Sequence, residues 1–561
     1  MIIGLDVGGT HTDVVLLGAE GLIRQIKVPT NPDDLFSTVL QGLESVTEGI
    51  DPSLIRRAVL STTLTTNRIV QHRTVDVGMI VSAGPGMDPE LFRTGEHYHL
   101  IDGAIDHRGR EIAPINTDQV CRAADELVRN GIRYVGVVSK FSVRNPNHEI
   151  VIRELIEDRF EKIFLGHRIA GSLNFPRRVA TTYLNASVYP IHKEFFEAVV
   201  KSLNQKGLTM PIRLLKPDGG NMRFEASIDH PAQTILSGPA ASVMGTLAFA
   251  PADDVCLVLD IGGTTTDMAV LVNGAPLLDP NGIRIGEHKT LIRSLATVSI
   301  GVGGDSAVRV TNGRIDIGPA RLGVAMAFGG PVPTPTDAMI FLGIGEGGDV
   351  GKARSGIQSL AQALGTDTHT TASRIYEQAC RTILAEAAAM IKRINAKPVY
   401  TVHELWEGHR LEPTHLFVLG GPARWFATGL EQFGKNRVTV VPRWDVANAI
   451  GAGLARTTCE VTLFADTEQE IAFAPEEGFS KTIPSNYTKA DATDEALDLL
   501  RRKAIARGGN PDHLELKVVD AMAFNMVRGF YTTGQNIRVM AQVKPGLIHG
   551  YENIVERIGE R

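Results

Sequence analysis

One acidic, glycine-rich pattern occurs twice in this chain of 561 residues: LDVGGTHTD at 5–13 and LDIGGTTTD at 259–267. The copies agree at seven positions and differ only at Val7/Ile261 and His11/Thr265. Each is entered by an apolar run, MIIGLDV or VCLVLDI, and left by another, VVLL or MAVLV, so each reads as a β-hairpin closed by a glycine turn. Either the chain holds two unrelated turns whose aspartates satisfy local amides, or it holds two halves of one site. Matching flanks and seven shared positions favour the second reading.

The chemistry of the turn narrows what such a site holds. Consecutive glycines let a backbone approach a ligand closely, and successive amides form an anion-binding concavity. Thr10 and Thr12, or Thr264 and Thr266, add hydroxyl donors for phosphate oxygens. A carboxylate just before the glycines repels phosphate unless a cation intervenes. Asp6 and Asp260 are therefore expected to ligate a phosphate-bound Mg²⁺, directly or through water. The expectation is a nucleotide polyphosphate clamped between two similar domains.

Strand-like and helical runs alternate through most of the chain, as in NPDDLFSTVLQGLESV (helix), VDVGMIVSAG (strand), TDQVCRAADELVRNG (helix closed by Gly131) and IRYVGVVSKF (strand). RRVATTYLNASVYPIHKEFFEAVVKSL reads as a long helix, and Ser237 as the cap of the helix SGPAASVMGTLAF. Residues 280–350 are rich in Gly and Pro and read as a loop-heavy layer over an active site. After 460 the texture becomes that of a small α+β unit, with LELKVVDAMAF, MVRGFYTT and NIRVMAQVK as three strand-like runs.

Bulk properties exclude several classes. A net charge of −6 gives no electrostatic footprint for nucleic acid or an anionic membrane. No apolar run reaches membrane-span length, and the start lacks a basic, apolar leader. Four scattered cysteines without CxxC spacing point to a reducing cytoplasm. GIGEGG at 343–348 lacks a preceding strand, and GKA at 351–353 lacks the glycine and hydroxyl of a P-loop. His288, His403, His409 and His415 are too dispersed for a metal cluster.

DVGGTHTD and DIGGTTTD resemble the two phosphate motifs of the actin, sugar-kinase and chaperone ATPase superfamily, FVLGGPA at 417–423 its adenosine motif, and NAIGAGLA at 448–455 its connecting helix. More narrowly, the order of STTLTTN (61–67), RRVATTYLNASV (177–188), SGPAASVMG (237–245), VSIGVGGDS (298–306), IGPA (317–320) and PTPTDA (333–338) is similar to the hydantoinase A/oxoprolinase family over residues 1–460. The resemblance implies an α/β fold: two actin-like (ribonuclease H-like) domains, 1–175 and 176–460, facing a nucleotide cleft, with a small α+β region over 461–561.

It also implies site roles. Asp6 and Asp260 would hold the metal, Gly8, Gly9, Thr10, Gly262, Gly263 and Thr264 the phosphates, and Gly420, Gly421 and Asn448 the nucleotide. Asp13 and Asp267 would either orient an attacking water or brace the hairpins. Thr62, Thr63 and Asn67, with Gly303, Gly304 and Asp305, would face substrate. Arg178, Thr181 and Asn185 fall on one helix face, a polar stripe that favours a substrate site over solvent. Three positions depart from the family pattern: His11 replaces an aromatic, Phe175-Pro176-Arg177 stands where acidic residues precede the helix arginine, and Asp305 replaces a glycine.

The implied activity is ATP-dependent phosphorylation of a carbonyl or cyclic-amide substrate for hydrolysis, with a hydantoinase B-like partner subunit. Two alternatives stand beside it: the ATPase subunit of a ketone carboxylase, and an actin-like ATPase that reactivates a partner enzyme. A homo-oligomer is compatible with each. His11, the one non-conservative difference between the two turns, marks where an asymmetry between them is expected.

Overall fold

The structure, a computed structural model, describes residues 1–8, 11–31, 34–62, 69, 74–205, 207–251, 254–279, 282–396 and 410–559. Both copies of the repeat fold as the predicted hairpins. Ile2–Val7 pairs antiparallel with His11–Gly18, and Val255–Ile261 pairs antiparallel with Thr266–Val272. Each hairpin then nucleates a mixed sheet by the same pattern, because the entering strand also takes a parallel neighbour after a crossover. In the first sheet that neighbour is Arg57–Thr62, itself parallel to Ile212–Leu215. In the second it is His415–Leu419, itself parallel to Arg437–Val440.

A separate four-stranded parallel sheet is built from Lys162–Leu165, Tyr134–Ser139, Gly78–Ser82 and Tyr98–Leu100. Its two central strands are buried at every position, as expected where both faces are covered. The helix Phe175–Gln205 lies over it and reaches the first sheet, contributing Phe175 and Val179 to one core and Phe195 and Val199 to the other. Residues 176–223, expected in the second domain, thus divide between the separate sheet and the first sheet, which Ile212–Leu215 and Asn221–Arg223 join. A βα alternation specifies a strand but not the sheet it joins.

The loop-heavy reading of 280–350 is corrected in part. Pro335–Phe341 is a helix with a Thr334/Asp337 capping box, and Val350–Leu364 is a second, capped by Asp349. The segment 343–348 lies between them with no preceding strand, which removes it as a dinucleotide motif. After 460 a five-stranded sheet is covered by the helix Lys489–Ala506. Leu516–Arg528 and Tyr531–Val543 form one long hairpin, so the middle run MVRGFYTT is the turn region rather than a third strand. The chain ends by returning to the first sheet, where Ile558 joins the core beneath the first hairpin.

One short helix, Ala447–Leu454, fixes the two repeat sheets relative to each other. It packs between Ile2–Val7 and the helix Ser237–Leu247, and one core cluster joins Val15 and Leu17 of the first hairpin to Val258 and Leu271 of the second. Glycines make the approach possible on both sides. A Cβ on Gly4 would lie 1.9 Å from the Ala449 carbonyl oxygen, and one on Gly451 would lie 2.1 Å from the Gly245 nitrogen. Among the described residues, no helix is long and apolar enough to cross a membrane.

Candidate functional site

The two hairpins converge at their first aspartates. Asp6 and Asp260 end the entering strands, and the Asn448 amide in the first turn of Ala447–Leu454 donates to both, 3.3 Å to Asp6 Oδ2 and 3.3 Å to Asp260 Oδ2. Residues 254 positions apart thus share one side-chain donor. The second aspartates follow by register: Asp13 lies opposite Asp6 and Asp267 opposite Asp260, so each pair projects from one face of its hairpin.

Electrostatics single out this cluster. Burial above all raises the Asp6 carboxyl to about 7; hydrogen bonds from Ser61 and Asn448 oppose the shift, and the charges of Asp13 and Asp260 add to it. Asp260 is raised by burial, against hydrogen bonds from Ser242 and Asn448. Among the described residues, the groups bonded to these two carboxylates are neutral donors. A buried and a half-buried carboxylate side by side, with no cationic side chain bonded to either, match the donor set of a hydrated divalent cation. Mg²⁺ takes one or two carboxylates and completes its octahedron with water and phosphate oxygens. Among the described residues, no group of three or more His, Cys, Asp or Glu side chains is placed to hold a metal ion.

The second aspartates differ in their partners. Burial raises both, but Asp13 is held by Lys27 at 2.9 Å, whereas Asp267 is bonded to Ser299 and reaches about 6, the Asp260 charge adding to burial. The asymmetry sought at His11 therefore lies two residues further on. His11 itself is exposed at the strand start and supplies its carbonyl to the turn.

The turns confirm the repeat and correct its details. Gly8 N–H donates to the His11 carbonyl, and Gly262 N–H to the Thr265 carbonyl, so the first glycine amide of each motif closes its hairpin instead of facing a ligand. Among the described residues, the Gly263 and Thr264 amides have no acceptor within the protein. Gly9 and Thr10 lie outside the described residues. Thr12 and Thr266 are fully buried and turned away: Thr12 shares a hydrogen bond with Thr30, and Thr266 donates to the Val302 carbonyl. Alternation along a strand is the reason, since a residue next to Asp13 or Asp267 must face the other side.

The strand Thr297–Ile300 pairs with Thr266–Ala269 and delivers the next loop onto the second turn. Gly304 N–H donates to the Gly262 carbonyl and Asp305 N–H to the Gly263 carbonyl, while Asp305 is paired with Arg321 at 3.0 Å. Gly303, Gly304 and Asp305 thus lie against the turn itself. Gly420, with φ of +97°, follows the strand beside Asp260, where a Cβ would lie 2.6 Å from Asp260 Oδ1. Gly421 is exposed, and a side chain there would meet nothing within 4 Å.

The polar stripe on Phe175–Gln205 is structural. Arg178 is fully buried and donates to the Ser172 and Ser139 carbonyls. Thr181 donates to the Arg177 carbonyl and accepts from Leu291 N–H; Asn185 donates to the Thr181 carbonyl and accepts from Ala232 N–H. Helical spacing gathers these residues on one face, but the face meets backbone loops rather than a ligand space. Thr63 and Asn67 lie outside the described residues, as do His403 and His409. Thr62 is buried at the end of its strand, where its N–H donates to the Ser237 hydroxyl. Ser237 therefore does not cap its helix: Leu236 holds the cap position, and the serine hydroxyl ties Ser237–Leu247 to Arg57–Thr62.

Sequence reasoning missed Ser61 and Ser242, the hydroxyls bonded to Asp6 and Asp260. Both stand inside motifs already singled out, STTLTTN and SGPAASVMG, and a symmetry argument matching donors to the two aspartates would have found them.

With this geometry described, comparison with known proteins adds a family. A profile described as hydantoinase/oxoprolinase matches residues 178–461, and one for the hydantoinase/oxoprolinase N-terminal region matches 2–160. The chain is 24% identical to the caprolactamase subunit alpha of Pseudomonas jessenii, over 90% of this chain and 75% of that one. It is 27% identical to the acetophenone carboxylase gamma subunit of Aromatoleum aromaticum, over 81% and 67% respectively. The crystal structure of the ATP-dependent caprolactamase from Pseudomonas jessenii superposes with a TM-score of 0.74 at 17% identity, covering 98% of this chain and 88% of that one, which establishes a shared fold.

Proposed function

Because this chain belongs to the hydantoinase/oxoprolinase family, we propose that it is the ATP-using subunit of an enzyme that phosphorylates a carbonyl or cyclic-amide oxygen and so prepares the substrate for hydrolysis. The observation that carries this reading is the Asn448 bridge between Asp6 and Asp260, which makes one site of two distant motifs. Asp6 and Asp260 would hold Mg²⁺, which supplies charge neutralisation of the polyphosphate during phosphoryl transfer. Asn448, Ser61 and Ser242 orient the two carboxylates, and the Gly263 and Thr264 amides are free to donate to phosphate oxygens. Gly421 leaves room for the nucleotide at the cleft mouth. Asp267, raised to about 6, is the group suited to hold or release a proton near the transferred phosphoryl. Asp13, tied to Lys27, braces its hairpin.

Relatives named as subunits support a multi-subunit enzyme, and a hydantoinase B-like chain is the partner we expect. The test is ATP turnover of the full chain, with and without that partner, against lactams, hydantoins, 5-oxoproline and ketones. Stimulation by a cyclic amide supports the proposal; stimulation by none of these compounds overturns it. The acetophenone carboxylase relative favours one second reading, activation of a ketone for carboxylation. An absolute requirement for bicarbonate would select it.

A pH dependence follows from the same site. The proton on Asp6 competes with the cation, so Mg²⁺-nucleotide affinity should fall by about tenfold per pH unit below about 7 and level off above it. Calorimetric titration at pH 6, 7 and 8 measures this, and an affinity flat across that range contradicts the metal assignment.

A further inference from the structure

A second charged space lies at the other end of the first sheet. The strand Ile2–Val7 carries Asp6 near its carboxyl end, whereas Ile2 lines a groove of about 720 Å³ at its amino end. At about 3.3 Å per residue the two places are roughly 13 Å apart along the strand. The groove separates the first sheet from the C-terminal unit, and four arginines line it: Arg56, Arg57, Arg213 and Arg456. Three carboxylates, Asp512, Glu515 and Glu552, line it as well, so the arginines outnumber the acids by one.

Of these four, Arg456 is neutralised, by Glu515 at 2.6 Å. Among the described residues the other three have no carboxylate within ion-pair distance, although Asp512 and Glu552 also reach the groove wall. Arg57 is buried and spends one guanidinium nitrogen on the Gly453 and Ala455 carbonyls. Arg213 donates to the Asn221 and Thr457 side chains and the Gly508 carbonyl, all neutral, and its buried Nε–H has no acceptor. Arg56 is exposed at the rim. A guanidinium offers five donors in a fixed fork, so each of the three retains N–H groups for an oxyanion. The exposed rings of His513 and His549 stack at 3.9 Å beside the groove.

We propose that this groove binds a small phosphate anion, with Arg56, Arg57 and Arg213 as its partners and the His513–His549 pair at its entrance. The phosphate group is either inorganic phosphate or the phosphoryl group of a small metabolite. Arg57 also closes the carboxyl end of Ala447–Leu454, the helix that carries Asn448, so the groove and the two aspartates share one rigid element.

The test is calorimetric titration of the full chain with orthophosphate and, separately, with glycerol 3-phosphate, repeated in Asp260→Ala and Arg56→Gln. Binding should persist in Asp260→Ala and weaken by at least about tenfold in Arg56→Gln, the loss expected for one charge-assisted contact. The His513 and His549 ring resonances should shift on saturation. Tighter binding of orthophosphate identifies the free anion, and tighter binding of glycerol 3-phosphate identifies a phosphorylated metabolite. Binding that survives Arg56→Gln but vanishes in Asp260→Ala would locate the anion in the nucleotide cleft and overturn the proposal, as would no binding of either probe at millimolar concentration.

Discussion

Asp260→Ala is expected to lower ATP turnover by at least about 10²–10³-fold, and Asp6→Ala alone to do the same, with the fold retained. A single shared site requires this double sensitivity, because Asn448 fixes both carboxylates against one another. If either single variant kept near-normal turnover, the two hairpins would not be halves of one site. A stability signature accompanies the loss and separates a charge effect from misfolding. The folded Asp6 carboxyl, at about 7, binds its proton more tightly than in the unfolded chain, where 3.8 is the ordinary value. In the metal-free protein the Asp6 contribution to stability therefore falls as pH rises from about 4 to about 7, and the charge remains a burden above that. Asp6→Asn removes the charge, so its melting temperature should exceed the parent's at pH 8 by about 2–4 °C or more and match it near pH 4. Calorimetric scans at the two pH values decide the point; an equal or lower melting temperature at pH 8 contradicts it.

Gly4→Ala should be strongly damaging although the residue offers no side chain to the site. Its Cβ would fall 1.9 Å from the Ala449 carbonyl oxygen and 3.0 Å from the Gly453 nitrogen, both backbone atoms that cannot rotate away. The helix Ala447–Leu454 must move off the strand, taking Asn448 from Asp6. Overpacking of this kind costs about 1–3 kcal/mol or more, and the displaced bridge should remove most ATP turnover in whatever protein still folds. Gly238→Ala is the control for stability, since an added Cβ in that helix meets nothing within 4 Å. If Gly4→Ala melted within about 1 °C of the parent, the close helix–strand contact would not hold the site together.

Much of the fold was legible because the repeat carries its own secondary structure. The apolar flanks set the strands, the glycines set the turns, and the matching copies implied a pair of similar sheets. What the residues of 176–223 would join was not legible, because strand order depends on contacts far along the chain. In the site, Asp6, Asp260 and Asn448 stood in recognisable motifs. Arg178, Thr181 and Asn185 misled because helical spacing reports a shared face and is silent about what meets it. The inward turn of Thr12 and Thr266 follows from the period of two along a strand, which sets them on the face opposite the aspartates. The difference between Asp13 and Asp267 was hidden because Lys27 and Ser299 come from other strands.

The glycine-lined helix Ala447–Leu454 also has a consequence for how the protein is made. Gly4 leaves the ribosome well before its packing partner Ala449, which follows it far downstream. At about 5–20 residues per second, roughly 20–90 s pass before the partner emerges. During that interval the first hairpin lacks one wall of its core, with Val15 and Leu17 uncovered. The N-terminal half therefore cannot mature ahead of the rest, and the timing of synthesis is part of what this architecture demands of the cell.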